Sequence, residues 1–458
     1  MHKIHTVILL TALLTTGRMY ADNPDRLLAT PMPGAWVKDN SIEQTLPDDD
    51  SWWQRFDDPV LNTLVDKATE NNFNLLEAYH RREMARNMML QARSAYWPQV
   101  TATASYMRDR TGGINTNTYS LGAGVNWEID IFGKVREAVK AKKASYRASR
   151  AEYVGAMQST AAEMATYYID YRLLQSHLAI AREHLESQAR VLEIAEARHE
   201  AGLVSKLDVA QARTVYLSTE ASIPSLKSSM RQSLTAIATL MGVYPDSISS
   251  LLESADQLPD HRMLIPAGIP ADLLRRRPDI MAAEAAVEEA AANIGIAKKE
   301  YLPSLSLTGE IGTMAYHTDD LFTRKGFHYS VSPTLSWTIF DGLSRKYDVA
   351  QAREQMEGSI NAYNLTVMTA VGEVDNAISA YNAALETLEV NTRLLDQSHE
   401  ALSLSIDQYK QGLSAFTNVV DAQIDLLNAA NSMVTAKGNA IIAIIDLYKA
   451  LGGSPIIQ

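Results

Sequence analysis

The sequence predicts an α+β membrane protein in which strands of a transmembrane β-barrel alternate with long α-helices, built from two tandem structural repeats. Three observations lead to this fold class. The two halves of the chain match each other, some segments alternate apolar and polar residues, and long proline-free stretches show helical periodicity. The chain has 458 residues, more than one ordinary core needs, so it is either divided into domains or elongated.

The second half of the chain repeats the first at a spacing of about 205 to 210 residues, which is far longer than a solenoid unit. Three pairs of segments match in the same order, namely 95–106 with 300–311, 125–133 with 335–342, and 200–212 with 410–422. Each half is predicted to contain a helix, two strands, a long helix, a tight turn and a returning helix. The repeat is therefore a duplicated half-molecule.

Apolar residues occupy every second position in the two strand regions of each half. This period of two predicts strands at about 98–108 and 117–131, and again at about 303–314 and 327–340. The pattern fits the edge of a soluble β-sandwich, and it also fits transmembrane strands of ~9–11 residues with apolar side chains toward lipid. Trp127 and Trp337 lie near matching strand ends, where interface aromatics of a membrane protein would sit.

Four strands per chain are too few to close a barrel, because the smallest known barrels have about eight. Several chains must therefore share one barrel. A homotrimer would supply twelve strands.

Residues 134–201 and 343–411 contain no proline, and apolar residues recur in them at helical spacing. They fit helices packed side by side in a single-layer wall, or an ordinary antiparallel coiled coil. Gly202 and Gly412 follow these stretches, as is typical of helix C-caps. The chain then returns, which predicts helical hairpins at 134–241 and 343–451.

Residues 1–21 are predicted to be a signal peptide, because a lysine precedes an apolar run at 6–17 that is too short to span a bilayer. Cleavage is expected after Ala21. No later segment offers ~18 uninterrupted apolar residues. Entry into a membrane would therefore have to occur through strands closed into a barrel.

Composition excludes several functions. The net charge of −12 argues against binding to nucleic-acid phosphates. The absence of cysteine excludes disulfides and thiolate chemistry. No G-x-S-x-G, P-loop or H-E-x-x-H motif occurs, so neither an enzyme nor a cofactor is predicted. His177 and His184 could share a helix face, although a packed or solvated surface is favoured over a metal site.

Two segments carry a family resemblance, SWWQRFDDPVLNTLV at 51–65 and LLRRRPDIMAAEAAVEEAAANIGIAKKEYLPSLSLTG at 273–309. Over 51–453 the chain resembles the outer-membrane factors of tripartite efflux systems, the TolC-like family, and especially the branch serving resistance-nodulation-division pumps. The resemblance implies a homotrimer with a twelve-stranded barrel and a periplasmic helical tunnel. It also implies a periplasmic adaptor protein and an inner-membrane pump as partners, passive transport of small molecules, and the outer membrane of a Gram-negative bacterium.

The resemblance also assigns regions of the chain. An equatorial region would draw on an N-terminal segment at 22–60, a connection at 244–270 and the C-terminal tail at 454–458. The two repeats would occupy 61–243 and 271–453. Many members of this branch carry a lipid on a cysteine that follows the signal. This sequence has no cysteine, so we expect no acylation by that route.

A candidate gate lies at the tip of the second hairpin. Asn418, Asp421 and Asp425 fall on one helix face, which is also compatible with simple solvation of that face. In the family, acidic residues at the positions of Asn418 and Asp421 ring the closed periplasmic entrance. The first repeat has Gln211 in place of Asp421, which assigns the gate to the second hairpin.

The resemblance further implies a gate latch between Tyr409 and Asp208, in which the tyrosine hydroxyl would donate a charge-assisted hydrogen bond to the carboxylate. A basic latch residue of some relatives falls on Ser414, so that link is predicted to be missing. The adaptor is expected to dock near Gly202 and Gly412. Two alternatives remain open, namely the exit channel of a protein-secretion system and a non-transporting structural trimer of coiled coils.

Overall fold

The structure is a computed structural model that describes residues 42–43, 51–253, 258–259, 265–266 and 277–453. The predicted signal peptide and the C-terminal tail lie outside the described residues, as do most of 22–50 and much of the connection at 244–270. The chain divides into two compact units. The described parts of His80–Glu152 and Asp279–Thr366 belong to the first, and those of Met32–Tyr79, Tyr153–Pro278 and Val367–Gln458 belong to the second.

From α2 in the first half and α6 in the second, the described helices and strands follow one another in the same order. The elements are β1 (Ile42–Glu43), α1 (Pro59–Asn71), α2 (Phe73–Ser94), β2 (Gln99–Thr111), β3 (Ile114–Ile129), α3 (Lys134–Glu200), α4 (Lys206–Leu240), α5 (Ser249–Glu253), β4 (Ile265–Pro266), α6 (Pro278–Lys299), β5 (Ser304–Ala315), β6 (Phe327–Ser336), α7 (Ser344–Lys410) and α8 (Phe416–Ala450). Both long helices have 67 residues and both returning helices have 35, as a duplication requires.

The first unit contains a four-stranded antiparallel sheet in the order β2-β3-β5-β6. Its registers place most apolar residues of the four strands on one face, here called the apolar face: Val100, Ala102, Ala104, Tyr106, Tyr119, Leu121, Ala123, Val125, Trp127, Leu305, Leu307, Ile311, Tyr329, Val331 and Leu335. Ser105, Ser120, Asn126, Thr308 and Glu310 are among the residues that project from the opposite, polar face. The alternation predicted from the sequence is therefore continuous across the strands.

In the described part of the chain no second sheet covers the apolar face. Val100, Tyr329 and Val331 are 66%, 73% and 69% exposed. A β-sandwich would bury these side chains against a facing sheet about 10 Å away. The sandwich interpretation of the strands is therefore wrong.

Three strands differ in extent from the sequence prediction. β2 continues to Thr111, beyond its predicted end at about 108. β3 begins at Ile114, before the predicted start, and ends at Ile129. β6 ends at Ser336, although the alternation continues to about residue 340. The reason is pairing, because Ser336 is opposite Ser304, the first residue of β5, and the chain beyond has no partner strand on that side.

The two strand hairpins also differ. Gly112 and Gly113 alone join β2 to β3, with φ of 61° and 87°, a turn that only glycine adopts without strain. A longer loop containing the 3₁₀ turn Thr318–Asp320 joins β5 to β6.

The core of the second unit joins distant parts of the sequence. Asp58 caps α1 by accepting from the amides of Val60 and Leu61 at 2.9 and 3.1 Å, and its second carboxylate oxygen accepts from the Tyr168 hydroxyl at 2.5 Å. Arg172, which is fully buried, donates to the Leu252 carbonyl at 2.9 Å. Burial, followed by the hydrogen bond to Asp58, raises the pKa of Tyr168.

A second anchor holds the start of the second repeat. Arg277 donates to the Ala450 carbonyl at the end of α8 at 2.9 Å and to Glu373 at 2.6 Å. Trp52 stacks on Tyr448 with ring centroids 5.5 Å apart. The sequence motifs 51–65 and 273–309 therefore include residues that fix the ends of the helices in this unit. Among the described residues, none of the helices has the length and apolar character needed to cross a bilayer.

Candidate functional site at the helical tips

The two helical tips have the same backbone. After α3, Gly202 adopts φ of 73°, its amide donates to the His199 carbonyl, and the Leu203 amide donates to Arg198. After α7, Gly412 adopts φ of 74° with the same pair of hydrogen bonds, to Tyr409 and Gln408. This is the helix-ending motif that requires a left-handed residue, and it explains why both matched positions are glycine.

The caps of the returning helices differ. Ser205 caps α4, accepting from the Asp208 amide at 3.4 Å and donating to the Asp208 carboxylate at 2.7 Å. Ala415 occupies the same position before α8 and has no side chain that could cap. Asn418 instead donates to the Ser414 hydroxyl at 2.8 Å. The first tip is therefore closed by a reciprocal cap that the second lacks.

Tyr409 of the second hairpin lies against Asp208 of the first. The hydroxyl of Tyr409 points at the Asp208 carboxylate at 3.5 Å, the long limit of a hydrogen bond. The Tyr409 ring is 6% exposed and packs at 5.0 Å from the ring of Phe416. Burial, together with the nearby Asp208 charge, raises the pKa of Tyr409, while Arg198 opposes this shift. The tyrosine is therefore neutral at physiological pH and can donate to the carboxylate.

Arg198 is a third member of this contact that sequence reasoning missed. Its guanidinium stacks over the Tyr409 ring at 4.9 Å and donates to the Lys410 carbonyl at 3.1 Å. The arginine thus binds the ring that faces Asp208 and also the end of α7. A cation in the last turn of α3 was the available signal, but its target lies more than 200 residues away in the sequence.

An apolar cluster supports these contacts between the two hairpins. Its buried members come from both hairpins: Val191, Ala195, Ala212, Leu402, Tyr409, Phe416, Val419, Ala422 and Leu426. A small shift of one hairpin would have to break the polar contacts of Tyr409 and slide these side chains past one another.

Asn418, Asp421 and Asp425 are all exposed on one side of α8, while Phe416, Val419, Ala422 and Leu426 are buried on the other. Asp421 and Asp425 form no ion pair with any residue in the described part of the chain. The structure therefore presents this acidic face to solvent at the second tip. The repeat-equivalent positions 211 and 215 are Gln211 and Val215, so the first tip has no matching acidic face.

Trp127 and Trp337 make the same contact in both repeats. Each indole N–H donates to a backbone carbonyl at 3.0 Å. Trp127 donates to Tyr96, which lies just before β2, and Trp337 donates to Tyr301, which lies just before β5. Trp127 lies within β3 and Trp337 directly follows β6. Both indoles therefore fix the strand ends that adjoin the long helices.

His177 has structural partners, with one ring nitrogen 2.8 Å from Asn431 and the other 3.3 Å from Thr435. Burial lowers the pKa of His184. Within the described residues, no group of three His, Cys, Asp or Glu side chains is placed to hold a metal ion.

Known proteins resemble this chain over nearly its whole length. Residues 64–243 and 269–453 match the family of outer membrane efflux proteins. Nodulation protein T of Rhizobium leguminosarum bv. viciae is 30% identical over 84% of this chain and 80% of its own. The probable efflux pump outer membrane protein TtgC of Pseudomonas putida is 29% identical over 88% of this chain and 84% of its own.

A solved structure agrees with these sequence matches. The outer-membrane channel OprN is 30% identical, covers 93% of this chain and 97% of its own, and superposes with a TM-score of 0.85. The sequence match falls into one segment in each half of the chain, as the two-repeat architecture requires. The chain therefore belongs to the outer membrane efflux protein family and has the fold of an outer-membrane channel.

Proposed function

We propose that the protein is the exit duct of a tripartite efflux pump, which conducts small molecules such as drugs or other toxic compounds passively from the periplasm to the outside. The observation that supports this proposal best is the uncovered apolar face of the β2-β3-β5-β6 sheet. A sheet with one apolar and one polar face suits a barrel wall between lipid and an aqueous lumen.

The duct would exist only as an oligomer. In the described sheet β2 and β6 are edge strands, each paired on one side. Unpaired strand edges are costly in lipid, where water cannot satisfy their backbone groups. Three copies, joined edge to edge, would close a twelve-stranded barrel without free edges.

The gate would lie at the helical tips. Threefold symmetry would bring three copies of the acidic face of Asn418, Asp421 and Asp425 around one axis. Carboxylates in a narrow throat attract cations and repel one another. The contact of Tyr409 with Asp208, held by Arg198, would tie the second hairpin to the first. Opening would break this tie and shift packed helices as rigid bodies.

The partners would be a periplasmic adaptor protein and an inner-membrane pump of the resistance-nodulation-division type, which supplies the energy. Leu203 and Leu413 follow the tip glycines and are 68% and 75% exposed. Exposed leucines at both tips fit an apolar contact with the adaptor, near Gly202 and Gly412.

The exit-duct proposal is tested by charging one face of the sheet at a time in a bacterium that lacks the gene. Val125→Arg places a charge on the apolar face, at a cost of about 2 to 4 kcal/mol in the middle of a bilayer. Its neighbour Asn126→Arg is the matched control on the polar face. We expect Val125→Arg to lose outer-membrane insertion and drug resistance, and Asn126→Arg to retain both. Full resistance with Val125→Arg would contradict the proposal.

The acidic throat is tested separately by ion selectivity in planar bilayers. We expect Asp421→Asn to weaken block by multivalent cations applied from the helical side, because three carboxylates are lost at once. Gln211→Asn, at the repeat-equivalent position, is the control and should leave the block unchanged. An unaltered block in Asp421→Asn would remove Asp421 from the gate.

A further inference from the structure

We infer that the apolar face of the sheet carries a binding site for a phosphorylated glycolipid of the outer leaflet, the lipid A portion of lipopolysaccharide. The site would consist of Arg108 and Arg110 on β2 together with an apolar groove beneath the loop between β5 and β6. This inference rests on the membrane placement of the sheet described above.

The two arginines share the face that meets lipid. The register from Gln99↔Asn126 to Thr111↔Ile114 runs without a bulge, so every second residue of β2 projects on the same side. That side reads Val100, Ala102, Ala104, Tyr106, Arg108 and Arg110 toward the Gly112-Gly113 turn, whereas Asp109 projects from the polar face. Along β2 toward the turn, this face thus changes from apolar side chains to an aromatic residue and then to two cations. The same order is expected from the hydrocarbon core of a bilayer to its headgroup region.

An aromatic pair marks the boundary between the apolar and the cationic part. The rings of Tyr106 and Tyr119 lie 5.0 Å apart on the apolar face, and the Tyr106 hydroxyl donates to Asn117 at 3.3 Å. Tyrosines with one apolar end and one wet end occupy the level of lipid headgroups. The arginines follow one and two steps farther out, where lipid phosphates lie.

Neither guanidinium has a hydrogen bond or an ion pair with another residue in the described part of the chain. By contrast, Lys325 in the neighbouring loop lies 3.9 Å from Asp320. Arg108 and Arg110 therefore keep their full capacity for bidentate contacts with phosphate oxygens.

An apolar groove of about 310 Å³ lies just below the tyrosine level on the same face. It is lined by Leu121, Ile311 and Phe327 of the sheet and by Leu321 and Phe322 of the loop. The loop is held there by the Thr313 hydroxyl, which donates to the Leu321 carbonyl. From Leu121 to Asn117, the partner of Arg108, the rise is about 13 Å. A lipid whose acyl chain fills the groove would thus place its headgroup near the arginines.

The combination favours a lipid over a free anion. A soluble phosphate would gain nothing from the groove, whereas a neutral lipid would gain nothing from the arginines. Lipid A carries both phosphates and acyl chains, and it forms the leaflet that the hairpin end of the sheet would face.

The test measures binding of bis-phosphorylated lipid A to the purified full-length protein in detergent, in the presence of a chelator that removes divalent cations. Arg108→Ala combined with Arg110→Ala should weaken binding about tenfold, since two charge-assisted contacts are lost. Arg108→Lys with Arg110→Lys keeps the two charges but loses the planar guanidinium. Its affinity for lipid A should lie between those of the wild type and the double alanine variant. Asp109→Asn, on the polar face of the same strand, should bind as the wild type does.

Three outcomes would overturn the inference: equal lipid A affinity in the alanine and wild-type proteins, equal affinity for phosphatidylcholine and lipid A, or displacement of lipid A by inorganic phosphate. If the alanine variant does not fold, the lysine variant still decides, because wild-type affinity in it would exclude a bidentate site. Conductance in bilayers without lipid A should be equal in all variants. A wild-type protein that fails to conduct would refute the exit-duct proposal and leave the lipid measurement unaffected.

Discussion

The tip of the first helical hairpin and the tip of the second share a backbone but differ in side chains. Gly202 and Gly412 have φ values of 73° and 74° and end their helices with the same hydrogen bonds. Tyr409, near the end of α7, faces Asp208 of the other hairpin, at 3.5 Å. The equivalent of Tyr409 in the first repeat is His199, which contacts Val204 in its own turn at 3.0 Å.

The same divergence holds for the other members of the contact. Asn418, the equivalent of Asp208, binds Ser414 in its own turn, and Gln408 stands where the first repeat has Arg198. Of the two cross-hairpin links that a symmetric duplication would allow, only one forms. The backbone geometry is thus common to both repeats, while the polar contact between the hairpins forms at one of the two equivalent positions, between Asp208 of the first repeat and Tyr409 of the second.

The largest expected effect comes from removing the link between Tyr409 and Asp208. We expect Asp208→Ala with Tyr409→Phe to make cells about fivefold more sensitive to antibiotics that are too large for ordinary porins, because a hydrogen bond to a carboxylate contributes about 1 kcal/mol per chain at this long distance. Growth inhibition measures the effect. His199→Ala with Asn418→Ala, the repeat-equivalent pair, should leave sensitivity unchanged. Equal antibiotic sensitivity of the two double variants would show that the Tyr409–Asp208 contact has no special role in closing the tips.

A smaller opening is expected from Arg198→Ala, which removes the stacking on Tyr409 and the hydrogen bond to Lys410. Stacking of this kind contributes about 0.5 to 1 kcal/mol at a half-exposed site, so we expect a two- to fivefold rise in sensitivity, at most the rise in the double variant. Arg198→Lys keeps the positive charge and should restore part of the resistance that Arg198→Ala loses. Gln408→Ala, at the equivalent position, serves as the control, and the same rise in that variant would mean that Arg198 has no special role.

The cap difference between the tips predicts opposite results for a matched pair of variants. Ser205→Ala should destabilise the first turn of α4 by about 1 kcal/mol, and Ala415→Ser should stabilise the first turn of α8 by a similar or smaller amount. Amide hydrogen exchange of these turns measures both. Loss of protection in Ala415→Ser would show that the two tips differ in more than their caps.

The smallest effect is a pH dependence of the Tyr409 contact. The raised pKa of Tyr409 means that the folded protein favours the neutral phenol. Its contribution should be complete below the ordinary tyrosine pKa of about 10 and should be lost as pH rises through the raised value. We therefore expect the conductance difference between wild type and Tyr409→Phe to be constant from about pH 6 to 9 and to fall above pH 10. A difference that disappears already on acidification would assign the contact to other groups.

Local patterns made much of this fold predictable. The alternation in β3 and β5, the proline-free stretches of α3 and α7 and the glycines of the tips are all properties of contiguous sequence. The end of β6 at Ser336 was not predictable, because it depends on where β5 begins to pair. A strand pattern in the sequence extends beyond the point at which a partner strand is present.

The site was predictable only where a family resemblance supplied the pairing. Asp208 and Tyr409 were placed together on that basis, and the structure brings them within 3.5 Å. Arg198, Arg172 and Arg277 were missed, since each binds a carbonyl or ring that is distant in sequence. The hydrogen bond from the Asn418 side-chain amide to Ser414 was not predicted either, because it depends on the neighbouring Ala415 having no side chain that caps α8.

Single-channel conductance of the purified protein in planar bilayers tests the central claim most directly, namely that this chain forms a duct closed at its helical tips by one link per chain. The wild type should show small, mostly closed channels. Asp208→Ala with Tyr409→Phe should show a conductance several times larger, and His199→Ala with Asn418→Ala should match the wild type. Equal conductance in all three proteins would contradict the account.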